Sequence, residues 1–339
     1  MKQKLSKTIS LLGEFALIDN LTSRLPLDSS VVYGAGDDCA VLVKNKNLYE
    51  LFTTDMSIEG VHFNIKKDNA QEVGYKAMAR NISDIAAMGG IPRYALVAIG
   101  LPPEVSFSLV KKMFAGIKKC ASHFSLNIVG GDVSKARKII ISISVSGEVE
   151  KKNLVTRCGA RVGDILYVSG RLGGSILSKH LNFIPRVDEA RFLTRHFSVT
   201  SMIDISDGLL QDLGHILKMS GVGCVIDLEK IPISRDAFKL SRNNKKRALN
   251  HALSDGEDYE LLFTVSPKEA ASLERKWRKR FNIRLTSVGS IVKAKGMFYQ
   301  KGSHLNIFTP LEKTHGMVTT FNGRSSLKGF TKRKGYTHF

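Results

Sequence analysis

Between residues 31 and 149 the apolar positions change period several times, and each change predicts an element. "YELFTTD" (49–55), "RYALVAIGL" (93–101), "LNIVGGD" (126–132) and "KIIISISVSGEV" (138–149) read as strands, and 70–88 and 104–123 carry helical spacing. The predicted order is strand, strand, helix, strand, helix, strand, strand. In the first helix Met78, Ile82 and Ile85 fall at i, i+4 and i+7 and form the apolar stripe. Arg80 and Asp84 share another face at i, i+4 spacing, which spacing alone directs toward solvent. Gly89, Gly90 and Pro92 end the helix.

A second series follows the polar stretch "EKKNLVTRCGARVGD". "DILYVSG", "SMIDIS", "CVIDL" and "DYELLFTVS" read as strands. Helices are expected near 173–181, 188–196, 207–220 and 267–280, with short strands toward the C-terminus. Ser206 is a plausible N-cap for the third of these helices, whose apolar face is Leu209, Leu213, Ile216 and Leu217. The pattern predicts a mixed α/β fold in two domains, 1–149 and 150–339.

Length agrees: 339 residues, 43% of them hydrophobic, suit two domains better than one or three. Gly13 and Glu14 interrupt the N-terminal apolar run and no small-residue cleavage site follows, so a helix is expected there and not a secretory signal. No apolar stretch approaches the roughly 18 residues of a membrane span. Cys39, Cys120, Cys158 and Cys224 are widely spaced without zinc-ligand neighbours, which points away from a zinc site or disulfide framework and toward a reducing cytoplasm. The 51 Lys+Arg against 31 Asp+Glu, net +20, occur in small clusters such as "RNNKKR" and "RKWRKR" without interleaved aromatics. That distribution reads as general surface basicity in preference to a nucleic-acid interface, and it is compatible with anionic small substrates.

Against this background four acidic segments stand out: "GAGDDCAVL", "LFTTDMS", "NIVGGDVS" and "SMIDISDGL". In each, an aspartate is expected where a strand begins or stops. Singly these are ordinary turn chemistry. Together, carboxylates gathered at strand ends of an α/β fold repel one another unless cations hold them. Hard oxygen donors point to Mg²⁺, which commonly bridges carboxylates to nucleotide phosphates. The chain contains no Walker A sequence and no kinase-type "HRD" segment.

With "GAGDDCAVL", "TTDMSIEGVHF", "AMARNISDIAAMGG", "GGDVS", "TRCGARVGD", "MIDISDGL", "GEDYELLF" and "GYTHF" in this order, the chain resembles the thiamine-monophosphate kinase family from "GEF" at 13 to Phe339. The resemblance implies an aminoimidazole ribonucleotide synthetase-like fold, a homodimer whose N-terminal strands pair in a shared β-barrel, and transfer of the ATP γ-phosphoryl group to thiamine monophosphate with several Mg²⁺ ions and no covalent nucleophile. It implies Asp38, Thr53, Thr54, Asp55, Asp84, Asp132, Asp204 and Asp207 as magnesium ligands. It implies Phe114, Gly131, Asp132, Arg157 and Ser206 as ATP contacts, and His62, Glu257 and Arg333 toward the organic substrate.

Three positions depart from the family pattern: Asp255 replaces a glycine before "GEDYE", Phe114 stands at an ATP-contacting tyrosine, and Arg333 aligns with an aromatic that packs on substrate in some members. Of the adjacent acids, Asp38 is assigned to metal and Asp37 to shaping the turn or supporting the ligands. The alternatives are a related ATP-dependent enzyme with a different acceptor, or a catalytically silent ATP-binding protein.

Overall fold

The computed structural model describes residue 9 and residues 13–177, 179–301 and 304–308. Helix α1 (Glu14–Thr22) precedes a six-stranded sheet. That sheet comprises β1 (Val31–Tyr33), β2 (Ala40–Val43), β3 (Leu48–Ile58), β4 (Ile91–Leu101), β5 (Asn127–Lys135) and β6 (Ile140–Glu150), in the order β1-β2-β3-β6-β4-β5. All neighbours are antiparallel except β4 and β5. Helices α2 (Ala70–Ala87) and α3 (Phe107–His123) connect β3 to β4 and β4 to β5.

Along β6 every second residue is buried, so Ile141, Ile143 and Val145 face the helices while Ser142, Ser144 and Ser146 face the other way. On β3 and β4 the outer face carries Phe52, Met56, Tyr94 and Leu96, all exposed.

Beyond residue 150 come β7 (Ile165–Ser169), α4 (Lys179–Asn182), α5 (Val187–His196), β8 (Val199–Asp204), α6 (Leu209–Ser220) and β9 (Gly223–Asp227). They are followed by α7 (Arg235–Leu240), α8 (Lys245–Ser254), β10 (Leu261–Val265), α9 (Pro267–Arg280), β11 (Leu285–Val292), β12 (Gly296–Lys301) and β13 (His304–Phe308). Their seven strands form a sheet in the order β13-β12-β9-β11-β7-β10-β8. Strand alternation divides its side chains between two cores. Leu166, Val168, Ile203 and Leu262 pack with Leu213, Ile216 and Leu253 of α6 and α8. Tyr167, Met202, Leu261 and Phe263 join the core that also holds Met78, Ile82 and Ile143 of the first half.

Helix α2 is therefore enclosed from both sides. The Asn69 side chain accepts from the backbone N–H of Gln71 and Glu72 to start it, and it packs against β3 and β6 as well as α4, α5 and β8. Thirteen of its 18 residues are buried, so the face that spacing directed to solvent is an inner wall. Helices α7 and α8, absent from the sequence reading, lie around the basic "RNNKKR" segment.

Two strand-end expectations change. Asp55 lies within β3 and Asp132 within β5, because both strands continue three residues past their acids; Asp204 is the last residue of β8. Ser206 is not the cap of α6: Gly208 holds that position at φ 114°, and the Asp212 carboxylate accepts from the backbone N–H of Asp207 and Gly208 at 3.1 and 3.0 Å. Residues 205 and 206 are drawn instead into backbone pairing with Glu257, Tyr259 and Glu260.

Candidate active site

Asp38 from the turn before β2, Asp84 from the last turn of α2 and Asp204 from the end of β8 each present an oxygen within 4.8 Å of the others. Asp38 and Asp204 are buried and Asp84 is half-buried. Burial and then the charge of Asp38 push the Asp204 carboxyl up to about 7 from 3.8. Burial, followed by the charges of Asp55, Asp204 and Asp38, raises Asp84 well above its ordinary value. Burial also raises Asp38, despite the Arg157 guanidinium beside it.

Hydrogen bonds orient these carboxylates, and only Asp38 has a cationic partner. Thr53 Oγ1 donates to Asp84 Oδ2 at 2.6 Å and Ser83 Oγ donates to Asp204 Oδ2 at 2.5 Å. Arg157 Nη2 donates to Asp38 Oδ1 at 2.6 Å, while Asp38 Oδ2 is buried with no hydrogen-bond partner. Asp37 plays a separate part: its carboxylate accepts from the backbone N–H of Asp38 and of Arg157, both at 3.0 Å, and so ties the turn to the segment carrying Arg157.

Beside Asp84, the inner stripe of α2 supplies Lys76, Arg80 and Ser83, which sequence reasoning did not assign to the site. Lys76 pairs with Glu257 and donates to the His62 carbonyl at 3.0 Å. Arg80 Nη2 donates to Asp55 Oδ1 at 3.1 Å, Ser83 reaches Asp204 and Asp84 receives Thr53. The available signal was a run of charged and hydroxyl residues at 76, 80, 83 and 84 inside a helix whose other positions are mostly small or apolar.

Other predicted residues lie apart from the trio. Thr54 alternates onto the opposite face of β3, where it receives the Ser144 hydroxyl at 3.0 Å and donates to the Ile143 carbonyl at 3.3 Å; its side chain is turned away from Asp84 and Thr53. Asp132 is exposed on the edge strand β5 and accepts from Ser134 at 3.1 Å. With Phe114, Gly131, Lys111 and Lys118 it lines a cavity of about 680 Å³ between β5 and α3. Gly131 has a packing reason of its own, because a Cβ there would collide with the Val97 carbonyl. Asp207 receives the Gln211 amide at 3.0 Å, and the Ser206 carbonyl accepts from Glu257 N at 2.6 Å.

His62 is buried after β3 and its Nδ1 accepts from Ile58 N at 3.0 Å. Asp255, the departure from the family loop, has an extended backbone at φ −72° that needs no glycine. Its carboxylate receives Gly174 N at 2.9 Å and lies 2.8 Å from His251 Nδ1. Arg333 lies outside the described residues.

Two mixed sheets jointly place three aspartates around a buried helix. Residues 36–149 match the family AIR synthase related protein, N-terminal domain. The relatives are more specific. Thiamine-monophosphate kinase of Rhodopirellula baltica is 38% identical over 291 residues, covering 84% of this chain and 90% of the relative. That of Bacillus subtilis is 32% identical over 351 residues, covering 97% and 100%. The solved structure of AaThiL complexed with AMPPCP and TMP is 32% identical, covers 87% of this chain and 96% of that chain, and superposes with a TM-score of 0.76. The chain belongs to the thiamine-monophosphate kinase family. Among the described residues no helix is long and apolar enough to cross a membrane.

Proposed function

We propose that this protein transfers the γ-phosphoryl group of ATP to thiamine monophosphate, giving thiamine diphosphate and ADP. The observation that carries the reading is the trio Asp38, Asp84 and Asp204, three carboxylates converging from both halves of a kinase-family chain with a buried, unpartnered Asp38 oxygen. All-oxygen donors whose negative charge Arg157 offsets only in part fit Mg²⁺. Bound by these residues, Mg²⁺ would supply the positive charge that offsets repulsion between the phosphates of the two substrates.

The chain's own groups hold and aim. Thr53 and Ser83 fix the rotamers of Asp84 and Asp204, and Arg80 fixes Asp55. Arg157, paired with Asp38, keeps part of its side chain exposed, a cation suited to an ATP phosphate. We assign Phe114, Gly131, Asp132, Arg157 and Ser206 to ATP and His62 and Glu257 to thiamine monophosphate. Thr53, Asp55, Asp132 and Asp207 complete the ligand set for several ions, and Thr54 could join through its backbone.

The acceptor phosphate has a second pKa of about 6 and is largely dianionic at neutral pH, so it needs little help from a general base. The reading is therefore direct in-line transfer without a phosphoenzyme. We further assign 1–149 to ATP and metal binding and dimerisation, 150–339 to completing the site, and the outer face of β3 and β4 to β-barrel pairing in a cytoplasmic homodimer.

Incubation with ATP, MgCl₂ and thiamine monophosphate tests the reading directly. Equal amounts of ADP and thiamine diphosphate are expected. ATP binding without thiamine diphosphate would contradict it, and a phosphorylated aspartate competent to complete the transfer would overturn the in-line mechanism.

A further inference from the structure

We propose that Lys76 is a positioning residue for the organic substrate, anchored on the His62 carbonyl and acting through Glu257. The proposal rests on the reading of Glu257 as a thiamine monophosphate contact.

Lys76 is 1% exposed in the middle of α2. An ammonium at such a depth is costly unless it is paired and hydrogen-bonded, and an apolar side chain such as that of Met78 on the same helix would fill the space without that cost. The contacts that compensate it come from two segments distant in sequence. The His62 carbonyl accepts from Nζ at 3.0 Å, and Glu257 Oε1 forms the ion pair. The first contact fixes where the ammonium sits, and the second fixes where the carboxylate sits.

Glu257 needs that restraint. Its backbone lies in the left-handed region at φ 65°, a conformation side-chain-bearing residues seldom adopt. Tyr259, two residues on, is left-handed as well at φ 48°. The peptide is held by Glu257 N donating to the Ser206 carbonyl at 2.6 Å, and the side chain is held by Lys76. The Glu257 side chain stays 15% exposed while that of Lys76 is 2% exposed, so a ligand can reach the carboxylate and not the ammonium. An ionised carboxylate fixed at one oxygen suits a ligand bearing N–H donors and a ring cation, which thiamine monophosphate has in its aminopyrimidine and thiazolium. Because α2 also bears Arg80, Ser83 and Asp84, the same helix sets the organic subsite in register with the carboxylate trio.

Steady-state kinetics of Glu257→Gln, Lys76→Met and the double variant provide the test, with melting temperatures recorded alongside. Glu257→Gln and Lys76→Met are each expected to raise KM for thiamine monophosphate at least tenfold, with KM for ATP within twofold of the parent. The double variant should be no worse than the poorer single one. If Glu257→Gln leaves that KM unchanged, the substrate reading of Glu257 falls and the proposal with it. If Glu257→Gln raises it and folded Lys76→Met does not, the positioning role alone is overturned. Parallel rises in both KM values with Lys76→Met would also overturn it, since general loosening of α2 disturbs both substrates. Where Lys76→Met does not yield folded protein, the charge-balanced double variant is compared with Glu257→Gln. Equal KM values support the proposal and a further rise contradicts it.

Discussion

Two buried carboxylates at strand ends of the second sheet, Glu260 and Asp204 of the trio, meet opposite surroundings. Glu260 is 1% exposed, yet Ser169, Lys179 and Arg186 all donate to it, at 2.7, 2.6 and 2.7 to 2.8 Å. Burial would raise its pKa, but Lys179 and Arg186 outweigh that and hold it at about 2. Asp204, 2% exposed, has a hydroxyl from Ser83 and two more aspartates for neighbours, and its carboxyl is pushed up to about 7. Glu260 carries its cations within the fold and so acts as a clasp between the strand and α4 and α5. The trio has only Arg157 as an internal cation, and in the proposed reading Mg²⁺ from solution supplies the rest.

Substitution separates the two most strongly. Asp84→Asn or Asp204→Asn should lower kcat/KM by about 10³-fold, the scale of losing a charge-stabilising group, while folding remains intact by circular dichroism. Glu260→Gln should do the reverse. It leaves the half-buried Lys179 and Arg186 underpaired and should cost about 3 kcal/mol in urea unfolding, with turnover of the folded fraction near normal.

The pH dependence sharpens the same contrast. Glu260 has a folded pKa of about 2 against 4.5, so its contribution is whole above pH 4.5 and is lost as pH falls toward 2. Asp204 is raised from 3.8 to about 7, so its contribution is whole below pH 3.8 and is lost as pH rises through 7 in the absence of a cation. Melting temperature followed without divalent ions should fall on both flanks, and a Glu260→Gln variant should lose the acid-side dependence selectively. The smallest effect is expected at Asp255→Gly, which removes the acceptor for Gly174 N and the partner of His251. It should cost about 1 kcal/mol in the same unfolding measurement.

Much of this frame was readable from spacing. The helix expected over 70–88 is Ala70–Ala87, and the strand, helix, strand, helix, strand, strand sequence from β3 to β6 follows the apolar pattern. Burial direction was not readable where a helix is enclosed on both sides. Asp84 is polar and four residues from Arg80, which describes a solvated face equally well, and only the second sheet closing over α2 makes it an inner one. Helices α7 and α8 escaped because their buried residues, Ala237, Ala248, Ala252 and Leu253 among them, are few and mostly small beside their many charges. Thr54 was included with its neighbours because the motif is contiguous, whereas a strand turns alternate residues to opposite faces.

The central claim is that Asp38, Asp84 and Asp204 are held for a cation that the fold does not supply. Thermal unfolding of the parent protein and of Asp204→Asn at pH 8, with and without MgCl₂ and without nucleotide, tests it most directly. Magnesium at about 100-fold its dissociation constant should raise the parent's melting temperature by about 4 °C. Asp204→Asn should melt higher than the parent without magnesium and respond little to its addition. An unchanged parent, or equal responses from the two proteins, would contradict the account.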